Sequence, residues 1–160
     1  MTSIHIIGIG SPMGLDCIGW EAVKELQRRA LGQLFPGGRI RLSSCDRPGS
    51  RLVTLLEQTP AAILIDALQG GATPGEVYRF TPENLSAYPG ALSSHDVGVA
   101  QALALGAALG QLPPRLVIYG IETGTGESPV NEADTTAIFE RAITGLYPAV
   151  CNDIQTWLSS

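Results

Sequence analysis

The chain has 160 residues, 44% of them hydrophobic, which predicts a single domain over residues 1–160 with a core of its own. Fifteen acidic residues against ten basic ones give a net charge of −5. This balance argues against nucleic acid as a partner, because phosphate recognition requires a basic face. Lys24 is the only lysine, so a Schiff-base or phosphate-loop lysine is not expected.

The cysteines and the apolar runs indicate where the protein works. Cys17, Cys45 and Cys151 have no paired short spacing, which favours reduced thiols in the cytoplasm over a disulfide framework or a zinc site. The N-terminus lacks the pattern of a signal peptide. No apolar run reaches the roughly 20 residues that cross a bilayer. We therefore expect a cytoplasmic protein without a membrane partner, and a monomer, since no apolar seam demands a dimer.

Short β-branched runs alternate with segments of helical periodicity along the whole chain. In order, the pattern predicts a strand over 4–7, a helix over 19–31, a strand over 39–42, a helix from 50 to about 59, a buried strand over 61–65, an edge strand over 76–80, an alanine-rich helix over 96–109, a strand over 115–119 and a helix over 132–146. This alternation predicts a three-layer α/β fold: a mostly parallel twisted sheet with helices on both faces, phosphorylase/hydrolase-like.

In such folds ligands gather at the carboxyl ends of the strands, where three polar residues are of interest. Asp66 directly follows the buried run 61–65, and a carboxylate there is costly unless it is paired, hydrogen-bonded or bound to a metal. Asp16 ends the loop after the first strand, where it either caps the next helix or faces the cleft. His95 precedes a helix that Asp96 is better suited to cap, which leaves its imidazole free to face the cleft.

Two carboxylates and one imidazole at strand ends form a plausible three-ligand site for a divalent metal with open positions for substrate. Such a set suits nickel or zinc, and the residues alone do not choose between them. Nucleophiles fit less well. The chain has no G-x-S-x-G motif, and Cys17 stands beside Asp16, whose charge disfavours a thiolate.

Other polar residues near the predicted strand ends have structural interpretations. Gly8–Ile9–Gly10 does not complete a dinucleotide-binding G-x-G-x-x-G motif and is better interpreted as a tight turn. Asp46, after the second strand, could line the same cleft, but a role in the turn with Arg47–Pro48–Gly49 is favoured. His5 lies within the first strand and is interpreted as a structural or outward-facing histidine.

Taken in order, these features resemble the hydrogenase maturation proteases, endopeptidases that trim the C-terminal extension from the large subunit of nickel–iron hydrogenases. The resemblance extends from residue 4 to about residue 125. Its motifs are Gly8–Ile9–Gly10, Asp16 with Gly19, Ile65–Asp66–Ala67, Ser94–His95 and Gly120–Ile121–Glu122.

The resemblance implies an endopeptidase of the aspartate/metal-dependent type, without a covalent nucleophile. Asp16, Asp66 and His95 would be both the catalytic and the metal-contacting residues. The metal would be nickel that arrives in the precursor of the large subunit, which is the implied partner; another divalent metal could serve as a surrogate. The site would recognise the loaded nickel and place the peptide bond for hydrolysis.

The sequence departs from the usual family pattern in the loop after the first strand. Ser11 stands where asparagine is usual, and Asp16 stands where the family usually has a glutamate ligand. Position 15 is Leu15 instead of an acidic residue, and Pro12 lies within the loop. The shorter Asp16 side chain requires a closer approach of the loop to the metal or a longer bond to it.

Three alternatives remain on sequence grounds. A non-catalytic family member could hold a maturation partner without cutting it, and the shortened Asp16 favours that alternative. A peptidyl-tRNA hydrolase has a similar glycine turn, but it needs a histidine soon after that turn and a basic cleft, and no histidine lies between His5 and His95. A flavodoxin-like nucleotide-binding protein lacks support, since the phosphate-binding lysine and the glycine motif are missing.

Overall fold

The computed structural model describes residues 2–85, 91–92, 98–124 and 131–160. The elements within these ranges alternate between strand and helix. They are β1 (Thr2–Gly10), a 3-10 turn (Gly14–Cys17), α1 (Ile18–Arg28), α2 (Leu31–Leu34), β2 (Gly38–Asp46), α3 (Arg51–Leu56), β3 (Ala61–Gln69), β4 (Val77–Phe80), β5 (Ala91–Leu92), α4 (Val99–Ala108), β6 (Arg115–Glu122) and α5 (Glu132–Leu158).

The strands form one mixed sheet in the order β2-β1-β3-β6-β4. β2, β1, β3 and β6 run parallel, while β4 lies antiparallel to β6 at the edge of this order. β5 pairs antiparallel with the last two residues of β3. The prediction of a mostly parallel sheet, with an edge strand over 76–80, is confirmed.

Helices cover both faces of this sheet, as the three-layer prediction requires. Side chains on β3 alternate between the faces: Ile63 and Ile65 pack in the cluster with α1 and α5, whereas Ala62 and Leu64 pack in the cluster with α3 and α4. β3 is buried from its first residue to Leu68. This central strand is therefore sealed by helices on both sides, and its carboxyl end leads to the loops where a ligand can bind.

The last helix is much longer than the sequence predicts. α5 continues to Leu158 through Pro148, although a proline inside a helix removes a hydrogen bond and normally ends or kinks it. The exposed ring of Pro148 lies away from the core, while Val150 and Ile154 beyond it are fully buried against the sheet. Tertiary packing thus outweighs the local preference. No helix in the described ranges, α5 included, is long and apolar enough to cross a membrane.

Several other element boundaries differ from the predicted ones. α1 ends at Arg28, since Ala30 has a left-handed backbone with φ of 53°. α3 ends at Leu56, about three residues early, and the two-residue strand β5 was not predicted at all. α4 begins at Val99, so Asp96 is not part of the described helix.

Glycines allow the first turn of α1 to lie directly on the backbone of two strands. A Cβ atom at Gly19 would stand 2.4 Å from the carbonyl oxygen of Ile9 and 2.6 Å from that of Ile65. One at Gly8 would stand 2.4 Å from the carbonyl oxygen of Gly19. Real Cβ contacts are not this short, so both positions require glycine for this packing.

His5 is a buried structural histidine, which was one of the two interpretations open from the sequence. Its Nδ1 lies 3.1 Å from Arg41 Nη2, and its Nε2 lies 2.7 Å from Ser43 Oγ. Because a guanidinium only donates, Nδ1 accepts and the proton of the neutral ring is on Nε2. Burial, together with the charge of Arg41, lowers the pKa of His5 from 6.5 to about 4.

We predict that Gly19→Ala destabilises the protein by about 2 kcal/mol or more, because the added methyl group cannot fit against two carbonyl oxygens. The free energy of unfolding, measured by urea denaturation, checks this. Gly37→Ala is the matched control, since a Cβ there meets nothing within 4 Å. An equal effect of the two substitutions would contradict the packing described here.

We also predict a pH dependence of stability that originates at His5. Below pH 6.5 the unfolded chain binds a proton at this ring, whereas the folded protein does so only near pH 4. The contribution to stability is therefore complete above pH 6.5 and is lost as the pH falls toward 4, by up to about 3 kcal/mol. His5→Gln should remove this component. Urea denaturation at pH 7 and pH 4.5 should show a steeper loss in the wild type, and parallel losses would refute the assignment.

Candidate functional site

The candidate site lies at the carboxyl edge of the sheet, where β1, β3 and β6 end. The 3-10 turn that carries Asp16 contacts both β1 and β3. Asp66 is located near the end of β3, and Glu122 is the last residue of β6. The parallel strands thus bring residues that are far apart in sequence to one edge of the sheet.

A compact loop connects β1 to α1 and presents Asp16. The backbone N–H of Ser11 donates to the carbonyl oxygen of Asp16 at 3.2 Å, and the N–H of Asp16 donates to that of Met13 at 3.0 Å. Gly10 makes this closure possible, since a Cβ there would stand 2.5 Å from the Asp16 carbonyl oxygen.

The Asp16 side chain is half-buried and faces Ser11. Ser11 is 1% exposed, and its hydroxyl lies 3.4 Å from Asp16 Oδ2, so the residue that replaces the usual asparagine still contacts the predicted ligand. Asp16 is not the N-cap residue of α1: Cys17 occupies that position, and its side chain makes no capping hydrogen bond.

Trp20 joins this region to the neighbouring strand, because its indole N–H donates to the carbonyl oxygen of Cys45 at 2.9 Å. The following residue, Asp46, points to solvent and forms an ion pair with Arg47 at 2.7 Å. Asp46 therefore ends its strand at the same sheet edge as Asp66, but in a very different environment.

Asp66 is completely buried, and its Oδ1 accepts a hydrogen bond from the Ala67 N–H at 2.8 Å. The alternation of β3 places this side chain on the face of Leu64 and Leu68, which pack with α3 and α4. On β6 the register partner is Gly120, which has no side chain. A carboxylate in these surroundings pays a large desolvation cost, so its presence favours a functional role.

Glu122 is the residue that the sequence analysis did not assign to the site. It is completely buried, and its carboxylate accepts three backbone N–H groups: Gly70 and Ala72 on Oε1 and Gly124 on Oε2, each at 2.9 Å. The sequence analysis ended this strand at Tyr119, three residues before Glu122, so the signal that identified Asp66, an acidic residue directly after an apolar run, did not point to Glu122.

His95 and Ser94 lie outside the described residues. The described residues on either side are Leu92, which pairs with Leu68 of β3, and Gly98, at the N-cap of α4. The N–H of Gly98 donates to Gln101 Oε1 at 2.8 Å, so the N-cap expected at Asp96 is occupied by a glycine instead.

The described part of the chain contains two of the three predicted metal ligands, Asp16 and Asp66. Within that part, no group of three His, Cys, Asp or Glu side chains could hold a metal ion. Oxygen donors of this kind accept hard or borderline divalent ions, and a nitrogen donor would complete the set for nickel. The three-residue site stays a prediction.

None of the three cysteines is an activated thiolate. Burial raises the pKa of Cys17, and the charges of Glu21 and Asp16 raise it further. Burial also raises the pKa of Cys45 and of Cys151. All three thiols are therefore protonated near neutral pH and are poor nucleophiles.

Comparison with known proteins places the chain in a family. The sequence profile of the family described as hydrogenase maturation protease matches residues 47–152. The matched range is about two thirds of the chain; it contains Asp66, His95 and Glu122, whereas Asp16 lies before it.

Curated relatives have names from hydrogenase formation. The hydrogenase expression/formation protein HupD of Rhodobacter capsulatus is 28% identical over 144 residues, which cover 89% of this chain and 64% of that protein. The protein HoxM of Azotobacter vinelandii is 31% identical over 123 residues, covering 75% and 58%. The chain spans between 53% and 64% of the length of the curated relatives it matches.

Solved structures agree in fold. A [NiFe] hydrogenase maturation protease HycI from Thermococcus kodakarensis has a TM-score of 0.62 at 21% identity, covering 96% of this chain and 93% of that one. The hydrogenase maturating endopeptidase HybD from E. coli has a TM-score of 0.59 at 19% identity, covering 93% and 94%. Sequence profile, relatives and fold agree: this chain belongs to the hydrogenase maturation protease family.

Proposed function

We propose that the chain is an endopeptidase that removes the C-terminal extension from the nickel-loaded large-subunit precursor of a nickel–iron hydrogenase. The observation that carries the proposal is Asp66, a fully buried carboxylate in the carboxyl-terminal half of the central strand. Beside it, the turn bearing Asp16 is packed against β1 and β3. Family membership supplies the reaction class, and this edge of the sheet supplies the residues.

In this proposal Asp16, Asp66 and His95 recognise the nickel that the precursor carries. The burial of Asp66 supports this role, because a cation that approaches a carboxylate shielded from water is attracted more strongly than at the surface. The incoming metal charge also offsets the desolvation cost of the carboxylate. A precursor without nickel lacks this compensation and binds less tightly.

The shorter side chain of Asp16 is compatible with the role because the whole loop lies close to the sheet. Gly10 allows the backbone of Asp16 to close onto the end of β1. Ser11 contacts the carboxylate from the strand side.

Hydrolysis by this site uses water and not an enzyme nucleophile. The cysteine thiols are held protonated, as described above, and the sequence has no serine nucleophile motif. The substrate's nickel supplies the polarisation of the scissile carbonyl or of the attacking water. The protein's part is to bind the metal-bearing segment and hold the bond in place.

We predict that the protein shortens a nickel-loaded precursor and leaves the nickel-free precursor intact. The mobility of the large subunit in a denaturing gel, with mass spectrometry of the released peptide, measures this. A precursor made without the extension is the control for the product. Tight binding without cleavage would favour the non-catalytic alternative. If the protein neither binds nor cleaves the nickel-loaded precursor, the proposal is contradicted.

We predict that Asp66→Asn abolishes processing, with a loss of at least about a hundredfold in rate, since the charge that attracts nickel is removed. The asparagine oxygen can still accept the Ala67 N–H, so the fold is expected to survive. Circular dichroism and thermal unfolding verify the fold, and timed gel assays measure the rate.

Asp46→Asn is the matched control for this substitution. Asp46 ends a parallel strand at the same sheet edge, but it is exposed and paired with Arg47. Its replacement should leave processing within about twofold of the wild type, since exposed ion pairs contribute little. If Asp66→Asn unfolds the protein, or if both variants process normally, Asp66 is not the nickel-recognising residue.

A further inference from the structure

The three N–H groups bound by Glu122 come from two separate segments. Gly70 and Ala72 belong to the β3–β4 loop, residues 70–76, whereas Gly124 follows β6. One buried carboxylate therefore fastens both segments to the carboxyl edge of the sheet. We name this arrangement, with its three N–H bonds to Glu122, the Glu122 clasp.

The backbone strengthens the clasp from both sides. The carbonyl oxygen of Glu122 accepts the Gly75 N–H at 2.7 Å, and the Glu122 N–H donates to the carbonyl oxygen of Glu76 at 2.8 Å. The N–H of the next residue, Thr123, donates to the carbonyl oxygen of Leu68 at 3.0 Å. Residue 122 thus holds the β3–β4 loop at its beginning and at its end.

The loop directs its N–H groups inward and leaves its outer surface to solvent. Gln69, Gly70, Gly71 and Thr73 are exposed, in contrast to the fully buried carboxylate beneath them. Gly71 and Gly75 have φ of 80° and 93°, a left-handed backbone that favours glycine. The loop begins four residues after Asp66 and follows β3 at the same carboxyl edge of the sheet.

We propose that Glu122 is a positioning residue for the peptide substrate, and that its clasp holds the β3–β4 loop as a wall of the cleft beside Asp66. This inference rests on the proposed function. The ligand of this wall is an extended peptide segment of the precursor close to the cleaved bond. Glu122 does not touch the peptide; it acts through the loop whose backbone it binds.

The chemistry explains why an acidic residue is needed there. Three converging N–H groups form an anion-binding concavity, and a carboxylate with charge-assisted hydrogen bonds fills it. A glutamine has the same shape but presents an N–H₂ group in place of one carboxylate oxygen. In the orientation that keeps the bonds from Gly70 and Ala72, the bond from Gly124 is lost, so the side chain no longer fastens the two segments together, while its burial and volume stay the same.

A second buried carboxylate provides the comparison that separates positioning from folding. Asp153 on α5 accepts two hydrogen bonds from Arg79, the shorter at 2.7 Å, and one from the Tyr119 hydroxyl. It is 5% exposed, and it fastens α5 to the middle of β6 and to β4, away from the loops at the carboxyl edge. Asp153→Asn is therefore the matched control for Glu122→Gln: it also removes a buried carboxylate that accepts several hydrogen bonds, but it leaves the Glu122 clasp intact.

The test compares Glu122→Gln with Asp153→Asn and the wild type in steady-state processing of nickel-loaded precursor, at a temperature where all three are folded. Glu122→Gln should raise KM by about tenfold, the equivalent of one lost hydrogen bond to a charged group, with kcat within about threefold. Asp153→Asn should lower the melting temperature but leave KM within about twofold.

Hydrogen exchange of the free proteins gives a readout that does not depend on activity. The amide of Gly124, which loses its acceptor, should exchange at least about tenfold faster in Glu122→Gln, and the amides of Gly70, Ala72 and Gly124 should all be unchanged in Asp153→Asn. If Glu122→Gln does not fold, Glu122→Asp keeps the charge and shortens its reach, and the same KM and exchange changes are expected.

The outcomes distinguish this proposal from the proposed function. A wild type that cuts the precursor, with KM unchanged in the Glu122 variant, overturns the positioning role alone. Equal changes of KM in the Glu122 and Asp153 variants also overturn it, since the effect is then general destabilisation. A wild type that leaves the precursor uncut overturns the proposed function and the positioning role with it, while exchange at the three amides still reports the clasp.

Discussion

The first turn of α1 lies on bare backbone, and the position of the candidate site depends on that contact. Because Gly8 and Gly19 have no Cβ atoms, the backbone of α1 lies directly against the backbone of β1 and β3. The loop between β1 and α1 must therefore turn within a few residues, and this short turn fixes the position of Asp16 relative to the edge of the sheet. Helix, loop and central strand form one rigid corner, and a preorganised site requires such a corner.

Two buried carboxylates at this edge differ in what surrounds them. Both carboxylate oxygens of Glu122 accept hydrogen bonds from backbone N–H groups, so this carboxylate is solvated by the protein's own backbone. Asp66 accepts the Ala67 N–H with its Oδ1 and stands opposite a glycine within the apolar strand β3. In our proposals Glu122 holds the loops and Asp66 contacts the substrate's metal. This division rests on their positions, since Glu122 lies where β6 meets two loops and Asp66 lies on the central strand.

Sequence patterns predict the parts of this structure that repeat a simple rule. The continuous apolar run 61–65 identified the central strand, and with it Asp66, because a strand covered on both faces must be apolar throughout. The end of α5 was missed since the rule for proline is local, whereas the burial of Val150 and Ile154 is tertiary. The role of Glu122 depends on loops about 50 residues away, which no spacing rule reveals. The role of His95 remains a prediction, outside the described residues.

The N-terminal end of α5 projects beyond the carboxyl edge of the sheet. With 27 residues the helix is about 40 Å long, against about 26 Å for the eight residues of β6. Gly75, bonded to the last residue of β6, lies against Ile138, so the turns before Ile138 rise above the sheet. Residues 131–137 are exposed throughout, as expected of a helix end that projects from the sheet. This projecting end of α5 carries Glu132 and Asp134. A protein that docks on the carboxyl edge of the sheet therefore meets negative charge on one side. Dissolved salt will weaken the attraction between this charge and a basic partner.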